Sequence, residues 1–254
     1  MSQKHYDISY LEDTAKLLGN LKKHSYQPFQ QITNGTIADL GCGTGIDAIN
    51  MAKMMDPQVQ VIGVDHDPQM IEKAKSSSAD VENVDFVLSE VYPLSYENVA
   101  LSGIRAERLL QHLKNTETVI AEIKRVLAVD APFVIVETDW QSLSFYNGDP
   151  VTEKKITQYL TEEKINNGLA AKKLTSYLEQ GGFRDIRLEI FPFVLRTYKE
   201  ACDYIWIDRM VNEMAEKNYI SGSEHEVFME ALKNADAQQH FGCAINIVVA
   251  SCIK

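Results

Sequence analysis

Asp39-Leu40-Gly41-Cys42-Gly43-Thr44-Gly45 sets an acid two residues ahead of three alternating glycines, and a second acid, Asp65, follows 26 residues after Asp39. Glycines reach positive φ and let backbone approach a ligand with no side chain between them. A dinucleotide fingerprint would need GxGxxG. Here Ile46 occupies the place of its third glycine, and glycine comes early, at Gly45. A phosphate loop would need Gly-Lys-Ser/Thr, and none is present. Read singly, Asp65 is also a helix-capping acid before Pro68, and His66 an ordinary surface or packed residue. Cys42 reads as a packing residue, because no acyl-transfer constellation accompanies it. Further along, His112 has the side chain best suited to a base near neutral pH, and a helix-start residue that packs or caps is its plain alternative. Asp139 reads equally as an orienting acid and as a turn acid.

The elements that must position these residues follow from periodicity. Ile8, Leu11, Ala15, Leu18 and Leu21 recur at helical spacing over 8–24. A short apolar strand over 37–40 enters the glycine loop, and a helix follows over 46–55. A β-branched strand over 59–65 ends on Asp65, and Pro68 opens a helix to about Ser76. Strands are expected over 84–88, over 99–104 more weakly, and over 133–137, with a helix at 116–127. Alternating strands and helices imply a doubly wound, mostly parallel α/β sheet. Beyond Pro150, helices are expected at 151–165, 170–180, 198–217 and 224–235, with strands at 183–195 and 241–253. In an open sheet of this kind, ligands bind outside the carboxyl ends of the strands. That rule puts Arg105, Ala106, His112, Glu137 and Asp139 on one side.

The loop from Asp39 to Gly45 resembles the first signature of the class I S-adenosylmethionine-dependent methyltransferases, and Asp65-His66-Asp67-Pro68-Gln69-Met70 resembles the second. The resemblance implies a seven-stranded Rossmann-like methyltransferase fold. It implies that Gly41, Cys42 and Gly43 pass the methionine part of the cofactor, with Asp39 helping to hold it. Asp65 would then accept the ribose hydroxyls, with His66 and Met70 flanking the adenine. Residues 86–91 are similar to the third signature, which implies adenine contacts from Ser89, Glu90 and Val91. Residues 104–113, which contain Arg105-Ala106-Glu107-Arg108-Leu109-Leu110-Gln111-His112, are similar to a segment of a small-molecule branch related to quinone-biosynthesis and natural-product enzymes. Arg105, Ala106 and the N-terminal Tyr6 are counted with the cofactor residues, and His112 and Asp139 as catalytic. Two departures stand out: Ser102 replaces the acid usual in the fourth strand, and residues 128–131 replace a Pro-Gly-Gly turn.

The expected organisation is a single methyltransferase domain over 1–254. It has an N-terminal helical lid at 1–35, a cofactor-binding core at 36–150, and a helical insert at 192–238 that helps shape the acceptor pocket. The formal net charge of -11 and the lack of a basic stripe argue against nucleic acid and anionic membranes. The insert carries five Lys/Arg against nine Asp/Glu, and the pair Lys22-Lys23 reads as the solvated face of a helix. Four cysteines without ligand spacing give no disulfide set and no metal site. Neither a membrane span nor a signal peptide is visible, so a cytoplasmic protein is expected. The expected partner is a small-molecule acceptor, with a homodimer left open. Two other readings stand beside methyl transfer: a non-catalytic S-adenosylmethionine-binding regulator or scaffold, and a nicotinamide-dependent oxidoreductase.

Overall fold

In the computed structural model of the chain, residues 18–254 are described. The lid expected over 1–35 therefore lies partly outside the described residues, as do Tyr6 and Tyr10 entirely. Seven strands form one sheet in the order β3-β2-β1-β4-β5-β7-β6. They are β1 (Gly35–Leu40), β2 (Val59–Asp65), β3 (Val84–Leu88), β4 (Gly103–Glu107), β5 (Pro132–Phe145), β6 (Arg184–Leu195) and β7 (Cys243–Ile253). Pairings β1/β2, β2/β3, β1/β4 and β4/β5 are parallel. The order reverses between β1 and β4, which is the switch point where sheets of this kind open to ligands.

By packing, the chain divides into two compact units. The first takes in the described residues up to Glu137, with Lys173–Glu189 and Val248–Lys254. Its core is built on Ile37, Leu40, Val61, Ile104 and Phe133, all fully buried. Helices α1 (Gly19–Tyr26), α2 (Ile46–Met54), α3 (Pro68–Ser77) and α4 (Thr116–Val126) belong to it. Helix α4 buries Val119, Ile120, Ile123 and Val126 along one stripe, as the 3.6-residue period requires. The second unit is Thr138–Lys172 with Ile190–Ile247. It contains α5 (Pro150–Tyr159), continued by a π turn at Leu160–Lys164, and α7 (Tyr198–Ile205), α8 (Ile207–Glu216) and α9 (Gly222–Ala237), while α6 (Ala170–Gln180) begins in it. Its own core gathers Trp140, Phe145, Ile156, Met210, Phe228 and Phe241, and Phe145 meets Phe228 edge to face at 5.4 Å. The segment expected as a helical insert, 192–238, lies in this unit. Strands β5, β6 and β7 each contribute residues to both units.

Three elements differ from the sequence reading. The fourth strand runs over Gly103–Glu107 rather than 99–104. Val99 takes φ 61°, and Val99 and Leu101 give their N–H groups to the end of α4, at Arg125 and Val126, instead of to the sheet. Strand β5 continues well past Glu137 to Phe145; Pro132 through Trp140 is buried without interruption, so no alternation marks its length. The helix expected over 198–217 breaks at Trp206, whose φ of 51° ends α7 and starts α8. Such a conformation is uncommon for a bulky residue.

Candidate functional site

Where β1 ends at Leu40 the chain turns through Gly41, Gly43 and Gly45, at φ 72°, 52° and 77°. Gly41 and Cys42 both donate to the Val64 carbonyl, at 2.8 and 3.0 Å, so the loop is hung on the end of β2. A Cβ at Gly45 would stand 2.6 Å from the Phe86 ring, which accounts for the early third glycine. The Asp65 carboxylate completes the attachment. Its Oδ2 accepts the Gly43 N–H at 2.8 Å and its Oδ1 the Asp67 N–H at 3.0 Å. The helix cap is Asp67, which accepts from Gln69 with Pro68 in the first turn. Asp65 is thus freed from the capping role that the sequence left open to it. The Ser89 N–H donates to the Asp65 carbonyl at 2.9 Å, which brings the end of β3 to the same place.

Beside the loop lies a buried cluster of charges. Asp39, 2% exposed, meets Arg105 through Oδ1 at 3.3 Å, and Arg105 itself is fully buried. The Arg105 guanidinium also pairs with Glu107 and, at 3.5 Å, with Asp47, and it donates to Ser25 Oγ at 3.1 Å. From α1, Lys22 donates to Asp47 at 2.6 Å and to both oxygens of Glu107 at 2.8 Å. The Tyr26 hydroxyl donates to Asp47, and its ring lies under the Arg105 guanidinium at 5.2 Å. Burial pushes the Asp39 carboxyl up to about 7, with Arg105 opposing and the Asp47 and Glu107 charges adding to the rise. Burial acts on Glu107 in the same direction, but Lys22, Arg105 and Arg108 outweigh it and hold that carboxyl well below the usual range. The Tyr26 hydroxyl is pushed up by burial and by the Asp47 charge. Burial, then the Asp39 and Asp65 charges, raise the Cys42 thiol well above its ordinary value, as suits a packing residue.

Of the residues singled out in the sequence, Asp39, Gly41, Cys42, Gly43 and Asp65 come together at the adjoining ends of β1 and β2. His66 is exposed, with Nδ1 3.4 Å from Asp65. Met70 packs into the first unit from α3. Ser89 and Val91 are half-buried and Glu90 is exposed. Arg105 and Ala106 lie inside β4, both fully buried. His112 is exposed at the end of a 3-10 turn, Leu110–His112, with Gln111 Nε2 3.2 Å from its Nε2. The Leu110 N–H donates to Glu137 Oε1 at 2.6 Å. Burial pushes Glu137 up to about 8, and its Oε2 has no hydrogen-bond partner among the described residues. Asp139 belongs to the second unit, where it is buried and paired with Lys172 at 2.9 Å.

Sequence reasoning missed Lys22, Tyr26, Asp47 and Glu107. The pair Lys22-Lys23 divides: Lys23 faces solvent, but Lys22 is 4% exposed. Asp47 had a local signal, since it is an acid in the first turn of the helix that follows the loop.

Comparison with known proteins matches residues 33–182 to a family described as a methyltransferase domain. The chain belongs to this methyltransferase family. Over 228 residues it is 26% identical to an uncharacterized 37.1 kDa protein in transposon TN4556 of Streptomyces fradiae, a match covering 89% of this chain and 66% of that protein. It is 24% identical to a demethylmenaquinone methyltransferase of Staphylococcus aureus over 175 residues, covering 63% and 73% of the two chains. In fold it is similar to geranyl diphosphate C-methyltransferase from Streptomyces coelicolor, solved with Mg2+, geranyl diphosphate and S-adenosyl-L-homocysteine. That likeness has a TM-score of 0.57 at 12% identity and covers 99% of this chain and 85% of that one. No helix among the described residues is long and apolar enough to cross a membrane.

Proposed function

We propose that this chain transfers the methyl group of S-adenosylmethionine to a small-molecule acceptor. The observation that carries the reading is the glycine loop, held at positive φ and tied through Gly43 to Asp65. A carboxylate offers about four lone-pair positions. Asp65 uses one on each oxygen for backbone N–H groups, which leaves one on each for a ribose diol. The loop backbone then lies along the methionine part of the cofactor, beside Asp39. His66, with its exposed ring, is better placed to flank the adenine than Met70, and residues 89–91 contribute from the end of β3.

Transfer is a direct displacement. The acceptor atom attacks the methyl carbon, the carbon–sulfur bond breaks, and S-adenosylhomocysteine leaves. Alignment supplies much of the rate in such a reaction. Where the acceptor must lose a proton, the exposed His112 imidazole is the group to take it. Asp139, already paired with Lys172, is suited to orienting an acceptor rather than deprotonating it. The net charge of -11 supports a small molecule over a nucleic acid. The likeness to a demethylmenaquinone methyltransferase favours an apolar, oxygenated ring compound. We read residues 1–254 as one methyltransferase domain, with an N-terminal lid over 1–35, a cofactor-holding core over 36–150 and a helical insert over 192–238. The four free cysteines suit a reducing, cytoplasmic setting.

Calorimetry with S-adenosylmethionine and with NADH tests the cofactor. Incubation with methyl-labelled cofactor and a panel of quinols, phenols and isoprenoids tests transfer. Binding of the first ligand alone, with label appearing in an acceptor, is the expected result. NADH binding would refute the cofactor, and binding without transfer across the panel would refute turnover of this acceptor class.

A further inference from the structure

The charge cluster beside the glycine loop is unevenly served. Lys22 meets Asp47 and both oxygens of Glu107, and Arg105 divides its guanidinium among Glu107, Asp47 and Asp39. Arg108 adds a 3.5 Å contact to Glu107 from the partly exposed rim. Asp39 has one ion pair, through Oδ1, and its Oδ2 accepts no hydrogen bond among the described residues. The charged and titratable groups facing it are Arg105 and Glu107 from β4, Asp47 from α2, Lys22 and Tyr26 from α1, and Cys42 from the loop. Tyr26 and Cys42 remain neutral, since burial raises both. Three carboxylates therefore face two buried cations, Lys22 and Arg105, with Arg108 reaching only Glu107 from the rim, and the carboxylate with the fewest bonds is Asp39, at the mouth of the glycine loop.

We infer that Asp39 holds a proton in the ligand-free protein and releases it to solvent when the ammonium group of the cofactor's methionine part docks against its Oδ2. This rests on the cofactor reading above and adds a proton linkage to it. The balance is simple. The Asp39 O–H bond breaks, the proton passes to water or buffer, and the new carboxylate pairs with the incoming ammonium. Asp39, which has only Arg105 in the free protein, then has a second cation on its other oxygen. Arg105 is the positioning residue: it acts on the ligand only through Asp39, fixing Oδ1 and leaving Oδ2 to the loop side. Burial raises the Asp39 carboxyl toward neutrality, so the release is partial at neutral pH and larger in mild acid. The product S-adenosylhomocysteine also carries the ammonium, so it releases the proton as the substrate form does. The linkage belongs to the methionine end and not to the sulfonium.

The test is calorimetric titration of the full chain with S-adenosylhomocysteine at about pH 6.5, where the ligand's own amine is already charged. Phosphate and imidazole buffers, which differ in ionisation enthalpy, report the protons exchanged. Between roughly half and one proton released per ligand is expected at this pH, falling as pH rises and turning to net uptake above about pH 8, where the ligand's amine must gain a proton to dock. Asp39→Asn should bind about tenfold more weakly or worse and release none. Carbon-13 spectra of wild-type protein labelled at its Asp carboxyls give a readout that needs no variant. One resonance should titrate near neutral pH in the free protein and stop titrating when the ligand is saturating. Intact binding with an enthalpy that does not depend on buffer, or release that persists in Asp39→Asn, would overturn the inference. Failure of both adenosyl ligands to bind would overturn the cofactor reading instead.

Discussion

Replacing Lys22 by Met tests how α1 is fastened to the cofactor loop. Lys22 is 4% exposed, and its ammonium bonds to Asp47 and to both oxygens of Glu107. Met keeps most of the stem's packing and removes only the charge. Breaking a buried pair by deleting one partner costs about 3–5 kcal/mol, because the other charge stays buried. Glu107 keeps Arg105 and Arg108, and Asp47 keeps Tyr26 and Arg105 at 3.5 Å, so the lower end, about 3 kcal/mol, is expected here. Exposed Lys23→Met, next in the chain, should change stability by less than about 0.5 kcal/mol. The pH dependence has a fixed sign. Glu107 is depressed in the fold, so its stabilisation is present above the unfolded carboxylate range and is lost as pH falls through the folded value. Without Lys22 that depression shrinks, so the deficit of Lys22→Met should be full at pH 7 and smaller below about pH 4. Urea unfolding followed by far-ultraviolet circular dichroism reads all three quantities. A loss under about 1 kcal/mol at pH 7, or a loss equal to that of Lys23→Met, would refute the buried-latch reasoning.

Asp65→Asn keeps one acceptor oxygen and loses the charge. It should weaken S-adenosylhomocysteine binding about tenfold or more in calorimetry, and unchanged affinity would remove Asp65 from the site. Gly45→Ala drives a Cβ to 2.6 Å from the Phe86 ring at φ 77°; a loss of about 2–3 kcal/mol is expected in urea unfolding, and a loss under 1 kcal/mol would show that the ring can move aside. Glu137 is raised in the fold to about 8, so its contribution is fullest below the unfolded carboxylate range and is lost as pH rises toward 8. Glu137→Gln should therefore gain stability relative to wild type between about pH 5 and pH 8, by about 1 kcal/mol or more. Parallel pH profiles for the two proteins would contradict a buried, proton-holding Glu137.

What could be read in the sequence was whatever local chemistry enforces. The glycine loop and Asp65 were legible because positive φ and a carboxylate at a strand end leave few residue choices. Strands β2 and β3 were legible to the residue, because their ends carry turn signals. The charge cluster was hidden because its members lie on four elements, and nothing in Lys22-Lys23 tells which lysine turns inward. Trp206 was illegible for the opposite reason. No residue there breaks a helical pattern, so nothing local announces the left-handed turn at Trp206. Asp139 was read as one of a group at the strand ends, but β5 outruns that expectation, and Asp139 belongs with Lys172.

Both tryptophans of the chain, Trp140 and Trp206, belong to the second unit. Intrinsic emission excited at the indole band is therefore a one-sided witness. It reports the melting of the second unit, around Phe145 and Phe228, whereas the glycine loop, Asp39 and Lys22 belong to the first. Superimposable unfolding curves from emission and circular dichroism would mean that the two units melt as one cooperative block, and separated curves would give each its own free energy.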